Sequence, residues 1–202
     1  MTDTGTATPQ RQKRLTLTWR QAIILLPLLL VLGIPHYQRI PFSQPITRRS
    51  DLDAFMHLRG VQADPSLRAA LSWFVGDGPQ RVHGFRPLRD LTLWVEYRLW
   101  GYTRWAYQIM NILYFAATAL ALIWLCRVIG MPMIPACYAG ALMMFLPSRA
   151  SVVVLEQITT RCDLLGALFG ILAFGWLLRY LECGGRRRAA GFMVWSLLAY
   201  LS

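Results

Sequence analysis

Residues 159–178 read TTRCDLLGALFGILAFGWLL, an apolar run with an arginine and an aspartate set at its entrance. A helix needs roughly 20 mostly apolar residues to cross about 30 Å of hydrocarbon. The stretch meets that length, so it decides for a helical membrane protein, and its two charges then ask for a reason. Composition agrees with the choice: the 202 residues are 55% hydrophobic, which suits a bilayer better than water. The expected fold class is all-α, a polytopic helical membrane protein.

The net charge of +11 narrows the partners. Lys13 is the one lysine among the 21 basic residues, and the arginines are scattered over loops and span ends rather than gathered on one face. A nucleic-acid groove asks for clustering with interleaved aromatics, so that class is disfavoured. Lipid headgroups or phosphorylated lipid substrates fit better, because a guanidinium presents a planar donor fork to phosphate.

Working outward, residues 1–20 form a polar, basic tail expected to be disordered and cytoplasmic. A first span covers 21–40, AIILLPLLLVLGIPHYQRI from Ala22 onward, after Arg11, Lys13, Arg14 and Arg20. It has no small-x-small cleavage site and reads as an uncleaved anchor. Residues 41–103 form an outer loop, and 104–202 hold spans two to four plus an incomplete fifth. The second span is expected from about Trp105 to Cys126, the third from about Met131 to Pro147, and the fourth from about Asp163 to Leu181. Arg186, Arg187 and Arg188 follow the fourth span and place that turn in the cytoplasm by the positive-inside rule. The last apolar stretch, GFMVWSLLAYLS, rises only about 18 Å as a helix, so the chain reads as the front of something longer. The four cysteines keep no metal-binding spacing, and only Cys162 faces the oxidising side, so no internal disulfide is expected.

The outer loop carries the first chemistry. Ser50 caps a short helix whose first turn holds Asp51 and Asp53, a purely structural arrangement on one reading. On another, one carboxylate at the membrane surface is a general base for an incoming hydroxyl. His57 lies one turn beyond Asp53, as its partner or as a plain surface histidine. ADPSLRAALSWFVGDGP then gives a helix capped at Asp64 and stopped at Gly76. In the next segment Leu88, Leu91, Val95 and Leu99 share one face, with Arg89 and Glu96 opposite, the pattern of a helix lying in the interface plane.

FRPLRDLTLWVEYRLWGYTRWAYQIMNILYF, residues 85–115, resembles the stretch after the first loop of GT-C fold glycosyltransferases. The likeness is to the O-mannosyltransferases with tetratricopeptide repeats and their bacterial relatives. Its carriers are Arg86 to Leu88, Leu99 to Gly101, and Asn111. QITTRCDLLGALFGILA is similar to a later segment of the same family, and SLLAYLS to the start of a further span. The family's adjacent acidic pair appears here as Asp51-Leu-Asp53, its His-Pro as Leu146-Pro147, and a Trp as Gln157.

The resemblance implies an N-terminal part of an inverting enzyme at the outer face of a bacterial inner membrane, with its N-terminus cytoplasmic. The donor would be a polyprenyl-phosphate-linked sugar and the acceptor a protein or glycan hydroxyl. Asp51 or Asp53 would be the base, and Arg86 and Arg161 would hold the donor phosphate, supported by Asp163, Glu156 and His57. Some relatives use a divalent metal, for which no ligands are specified here.

Locally, Thr160 and Asp163 make a capping-box-like start for the fourth span. Arg161 opposes the helix dipole unless a phosphate sits there, or unless it snorkels to headgroups or pairs with Asp163 or Glu156. The competing class is a non-catalytic membrane module that binds lipid or pairs with partner membrane helices. A transporter finds no inverted repeat.

Overall fold

The computed structural model of the chain describes residues 18–34, 52–75, 86–145, 158 and 161–202. All regular structure among them is helical, in agreement with the all-α expectation. Two helices are long and apolar enough to cross a membrane, Arg104–Val128 and Arg161–Cys183. Ser50, Asp51, Gly76, Glu156 and Thr160 lie outside the described residues, as does the side chain of Asp53.

Helix α1 spans Trp19–Leu32. Thr18 and Gln21 close its start reciprocally: Thr18 N–H donates to Gln21 Oε1 at 2.9 Å and Gln21 N–H to Thr18 Oγ1 at 3.4 Å. Its 14 residues rise about 21 Å, and residues 35–40 of the span expected over 21–40 lie outside the described residues. Helix α2 covers Leu52–Ala63 and the short α3 covers Leu67–Ser72, capped by Ser66 rather than by Asp64. Asp64 instead accepts from Ser66 N–H at 3.0 Å, and the Ser66 hydroxyl together with that N–H holds its carboxyl below the usual range.

Helix α4, Pro87–Trp100, begins at a proline whose missing N–H costs nothing in the first turn. Helices α5 (Arg104–Val128), α6 (Met133–Phe145) and α7 (Arg161–Cys183) follow, and α8 (Arg186–Tyr200) completes the chain. The second and fourth spans thus extend one or two residues beyond the expected limits at each end. The third is described over Met133–Phe145, about 20 Å, and its expected end at Pro147 lies outside the described residues.

Helix α5 is the axis. It packs against α1, α6 and α7, and its small residues Ala116 and Ala119 let neighbours approach around Leu29, Phe115, Ile123 and Leu164. Contact with α7 is closest where Trp124 lies on Gly175: a Cβ there would sit 2.1 Å from the indole. The Arg179 guanidinium covers the other part of that ring at 5.1 Å. Helix α8 folds back on α7 through Gly184 and Gly185, whose φ values of 60° and 101° suit glycine alone. Arg188 closes the turn by donating to the Cys183 and Gly184 carbonyls. The C-terminal end returns to α4, where Leu88 N–H donates to Leu201 O at 3.0 Å.

Helix α4 corrects the expected orientation. Its buried residues are Pro87, Asp90, Leu93 and Glu96, while Val95 and Leu99 are 42% and 64% exposed. The polar side faces protein and the apolar side faces out, because α2 and α7 supply partners for the charges, His57 for Asp90 and Arg161 for Glu96. Trp94 ties α4 to the turn before α3 by donating to Pro65 O at 3.2 Å.

Candidate functional site

Arg161 opens α7 and is the largest fully buried side chain described. Its Nη1 donates to Glu96 Oε1 of α4 at 2.5 Å, and Nη2 donates to the Tyr107 carbonyl of α5 at 3.3 Å. The Tyr107 and Tyr114 rings lie 6.0 and 5.8 Å from its guanidinium carbon. One cation therefore pins three helices. Tyr107 is itself anchored, its hydroxyl donating to Gly101 O at 2.5 Å across the α4–α5 turn.

The charge at the entrance of α7 now has a reason. A cation in a first helical turn is opposed by the dipole, and a buried one is tolerated only with a partner. Glu96 is that partner, 65 residues away in sequence. Burial pushes the Glu96 carboxyl above its ordinary range, and the adjacent guanidinium offsets only part of that. Arg161, expected to grip a donor phosphate directly, is engaged with Glu96 and Tyr107. Among the described residues its acidic partner is Glu96 rather than Asp163, and Glu156 lies outside them.

A second cluster joins α2 to α4. His57 is 2% exposed, not a surface residue. Its Nδ1 lies 3.7 Å from Asp90 Oδ1, and its ring meets Trp73 edge-on at 5.5 Å between centroids. Burial holds His57 down at about 4, although Asp90 pulls upward, so the imidazole is neutral near pH 7. Asp90 sits in the first turn of α4, where the dipole favours an anion. Arg89 clamps the same carboxylate oxygen with Nε at 2.8 Å and Nη2 at 2.7 Å.

Arg86, immediately before α4, reaches the start of α7: its Nη1 lies 2.7 Å from Cys162 Sγ. Cys162 Sγ is in turn 3.7 Å from Asp163 Oδ1, and Asp163 is exposed. Of the residues singled out in sequence, Arg86, Arg161 and Asp163 are thus brought to one junction. His57 is held beside it through α4, with Asp53 one turn earlier on α2.

Sequence reasoning missed Glu96, Asp90 and Arg89 as members of this junction. The available signal was Glu96 set among Leu93, Trp94, Val95 and Tyr97, an acid that needs a cation wherever water is scarce. Among the described residues no group of His, Cys, Asp and Glu side chains is placed to hold a metal ion. No protein-family model, no curated protein and no solved structure matches the chain.

Proposed function

We propose that the chain is the N-terminal part of a multi-pass membrane glycosyltransferase of the bacterial inner membrane. It moves a sugar from a polyprenyl-phosphate lipid to a hydroxyl acceptor at the outer face. The observation that carries this reading is the junction itself. The segments that resemble the GT-C family, the start of α4 and the start of α7, meet through Arg86 and Cys162, with the acid-bearing α2 packed beside them. Exposed Ile23, Ile24, Leu142 and Phe174 support a bilayer around the bundle.

In this reading Arg86 is the phosphate ligand, since charge accumulates on the phosphate as the glycosidic bond breaks. Asp51 or Asp53 takes the acceptor proton. Arg161 is a positioning residue: through Glu96 it fixes the α7 entrance, and so Cys162 and Asp163, against α4. To test the assignment, each of Asp51, Asp53 and Arg86 is replaced by alanine in an active full-length protein and transfer from a labelled polyprenyl-phosphate sugar is followed. Loss of charge-assisted hydrogen bonds worth about 1.5–3 kcal/mol predicts a decrease of roughly ten- to hundredfold for Arg86→Ala. Undiminished transfer in all three variants rejects the enzyme.

A non-catalytic module that pairs with partner helices is the second reading. It is favoured by α8, which rests on α7 and leaves Met193, Val194, Leu197 and Tyr200 exposed. Stable co-purification of a helical partner, with no transfer activity, selects it.

A further inference from the structure

Helix α7 rises about 35 Å over its 23 residues, so its last turn reaches past about 30 Å of hydrocarbon. Trp176 and Tyr180 near that end suit the headgroup level. The two glycines that follow send α8 back along α7, where Trp176 lies against Gly191 and Phe169 stacks on Trp195 at 5.7 Å between centroids. In a bilayer crossed by α7, Arg186 and Arg187 therefore stand at the depth of the lipid phosphates.

These two cations conflict with their own helix. The first turn of α8 holds no acid, and its N-cap is Gly185, which has no side chain to offer. Positive charge there opposes the helix dipole. Arg188 is held by the Cys183 and Gly184 carbonyls, but Arg186 and Arg187 are exposed and make no hydrogen bond or ion pair among the described residues. Glu182 is the one acid between Trp176 and Ala190, against four arginines. The same conflict at Arg161 is resolved by Glu96. At the α7–α8 turn the described residues supply no such anion.

The rest of the helix says what the anion is attached to. Arg186, Ala190, Met193, Leu197 and Tyr200 recur at alternating intervals of four and three, and all five are exposed. One face of α8 thus carries a cation at the turn and an apolar stripe beyond it. Met193 and Leu197 lie about 10 and 16 Å along the axis from Arg186, the depth of one leaflet. A free phosphate or a nucleic acid would use the cations and leave the stripe bare. An apolar partner helix would cover the stripe and leave the cations unpaired. A lipid with a negatively charged head satisfies both, and the guanidinium fork matches its phosphate.

We propose that this face of α8 binds an anionic phospholipid, its phosphate paired with Arg186 and Arg187 and an acyl chain lying along Met193 and Leu197. The site requires a bilayer around α7 and stands independently of sugar transfer.

The test places the full chain in phosphatidylcholine nanodiscs with a small fraction of phosphatidylglycerol that carries a diazirine on its acyl chain. Irradiation is expected to label α8 between residues 186 and 200. Unlabelled phosphatidylglycerol should displace the probe about thirtyfold better than added phosphatidylcholine, the equivalent of about 2 kcal/mol for two arginines. The double variant Arg186→Gln with Arg187→Gln should lose labelling by the same factor. Arg59→Gln with Arg68→Gln removes as much charge from the exposed surface of α2 and α3 and should leave labelling unchanged. If the first pair does not fold, lipid competition in the unaltered chain decides. Equal displacement by phosphatidylcholine, equal labelling in a folded Arg186→Gln, Arg187→Gln chain, or equal loss in the α2 and α3 pair overturns the site. So does displacement by inorganic phosphate as effective as by the lipid, or a co-purifying helix that excludes the probe.

Discussion

Arg161→Met removes the cation from the buried pair and leaves Glu96 among apolar and aromatic groups. Removing one member of such a pair ordinarily costs about 3–5 kcal/mol. The carboxyl has an escape, however, because it can take up a proton. Starting from the ordinary value of 4.5, protonation at pH 7 costs about 3.4 kcal/mol at 1.36 kcal/mol per pH unit. At pH 5 the same step costs only about 0.7 kcal/mol. The destabilisation should therefore be near 3 kcal/mol at pH 7 and below about 1 kcal/mol at pH 5. For a chain of this size that is a fall in Tm of roughly 6–12 °C at pH 7. Thermal unfolding in nanodiscs, followed by tryptophan fluorescence at both pH values, measures it. Glu96→Gln strands a guanidinium that cannot lose its proton, so this variant should lack the relative recovery at pH 5 that Arg161→Met shows. The double variant Arg161→Met with Glu96→Leu should recover most of the loss. Equal losses for Arg161→Met at the two pH values, or a double variant as unstable as the two single changes combined, would refute the reasoning.

His57 gives a pH dependence of the opposite sense. Above pH 6.5 the imidazole is neutral in folded and unfolded chains. Between 6.5 and about 4 only the unfolded chain takes up the proton, so stability falls with pH by about 3 kcal/mol over that window and levels off below it. A chain carrying His57→Gln should lack this slope in unfolding measured from pH 7 to 4; an unchanged slope assigns it elsewhere. Gly175→Ala forces a Cβ to within 2.1 Å of Trp124 and should cost about 1–3 kcal/mol. Gly170→Ala, on the same helix with nothing within 4 Å, should be neutral or stabilising by up to about 1 kcal/mol. If the two alanines behave alike in thermal melts, the close approach of Trp124 does not set the spacing of α5 and α7.

Much of the fold was legible because hydropathy reports which segments avoid water. The long apolar helices α5 and α7 announce themselves by length, and their ends were missed by one or two residues. The α7–α8 turn was marked by Gly184 and Gly185. What hydropathy does not report is which way an amphipathic helix faces. The stripe of Leu88, Leu91, Val95 and Leu99 was read as lying on a membrane with Glu96 toward water. A charged stripe is equally satisfied by protein partners, and here Arg161 and His57 provide them. Both contacts join segments far apart in the chain, where no local spacing links them. Arg161 was recognised as out of place in its own turn, and that local conflict was the correct clue. Its partner lay in α4, 65 residues away in sequence, and not at the adjacent Asp163.

The buried pair also orders events in time. Glu96 leaves the ribosome well before Arg161, and 65 residues separate them. At about 5–20 residues per second, the acid waits roughly 3–13 seconds for its cation. Over that interval Glu96 lacks the cation it pairs with, while Asp90 already has His57 and Arg89. The Glu96–Arg161 pair can form only once α7 has emerged, so the junction that gathers Arg86, Cys162 and Asp163 cannot be complete before then.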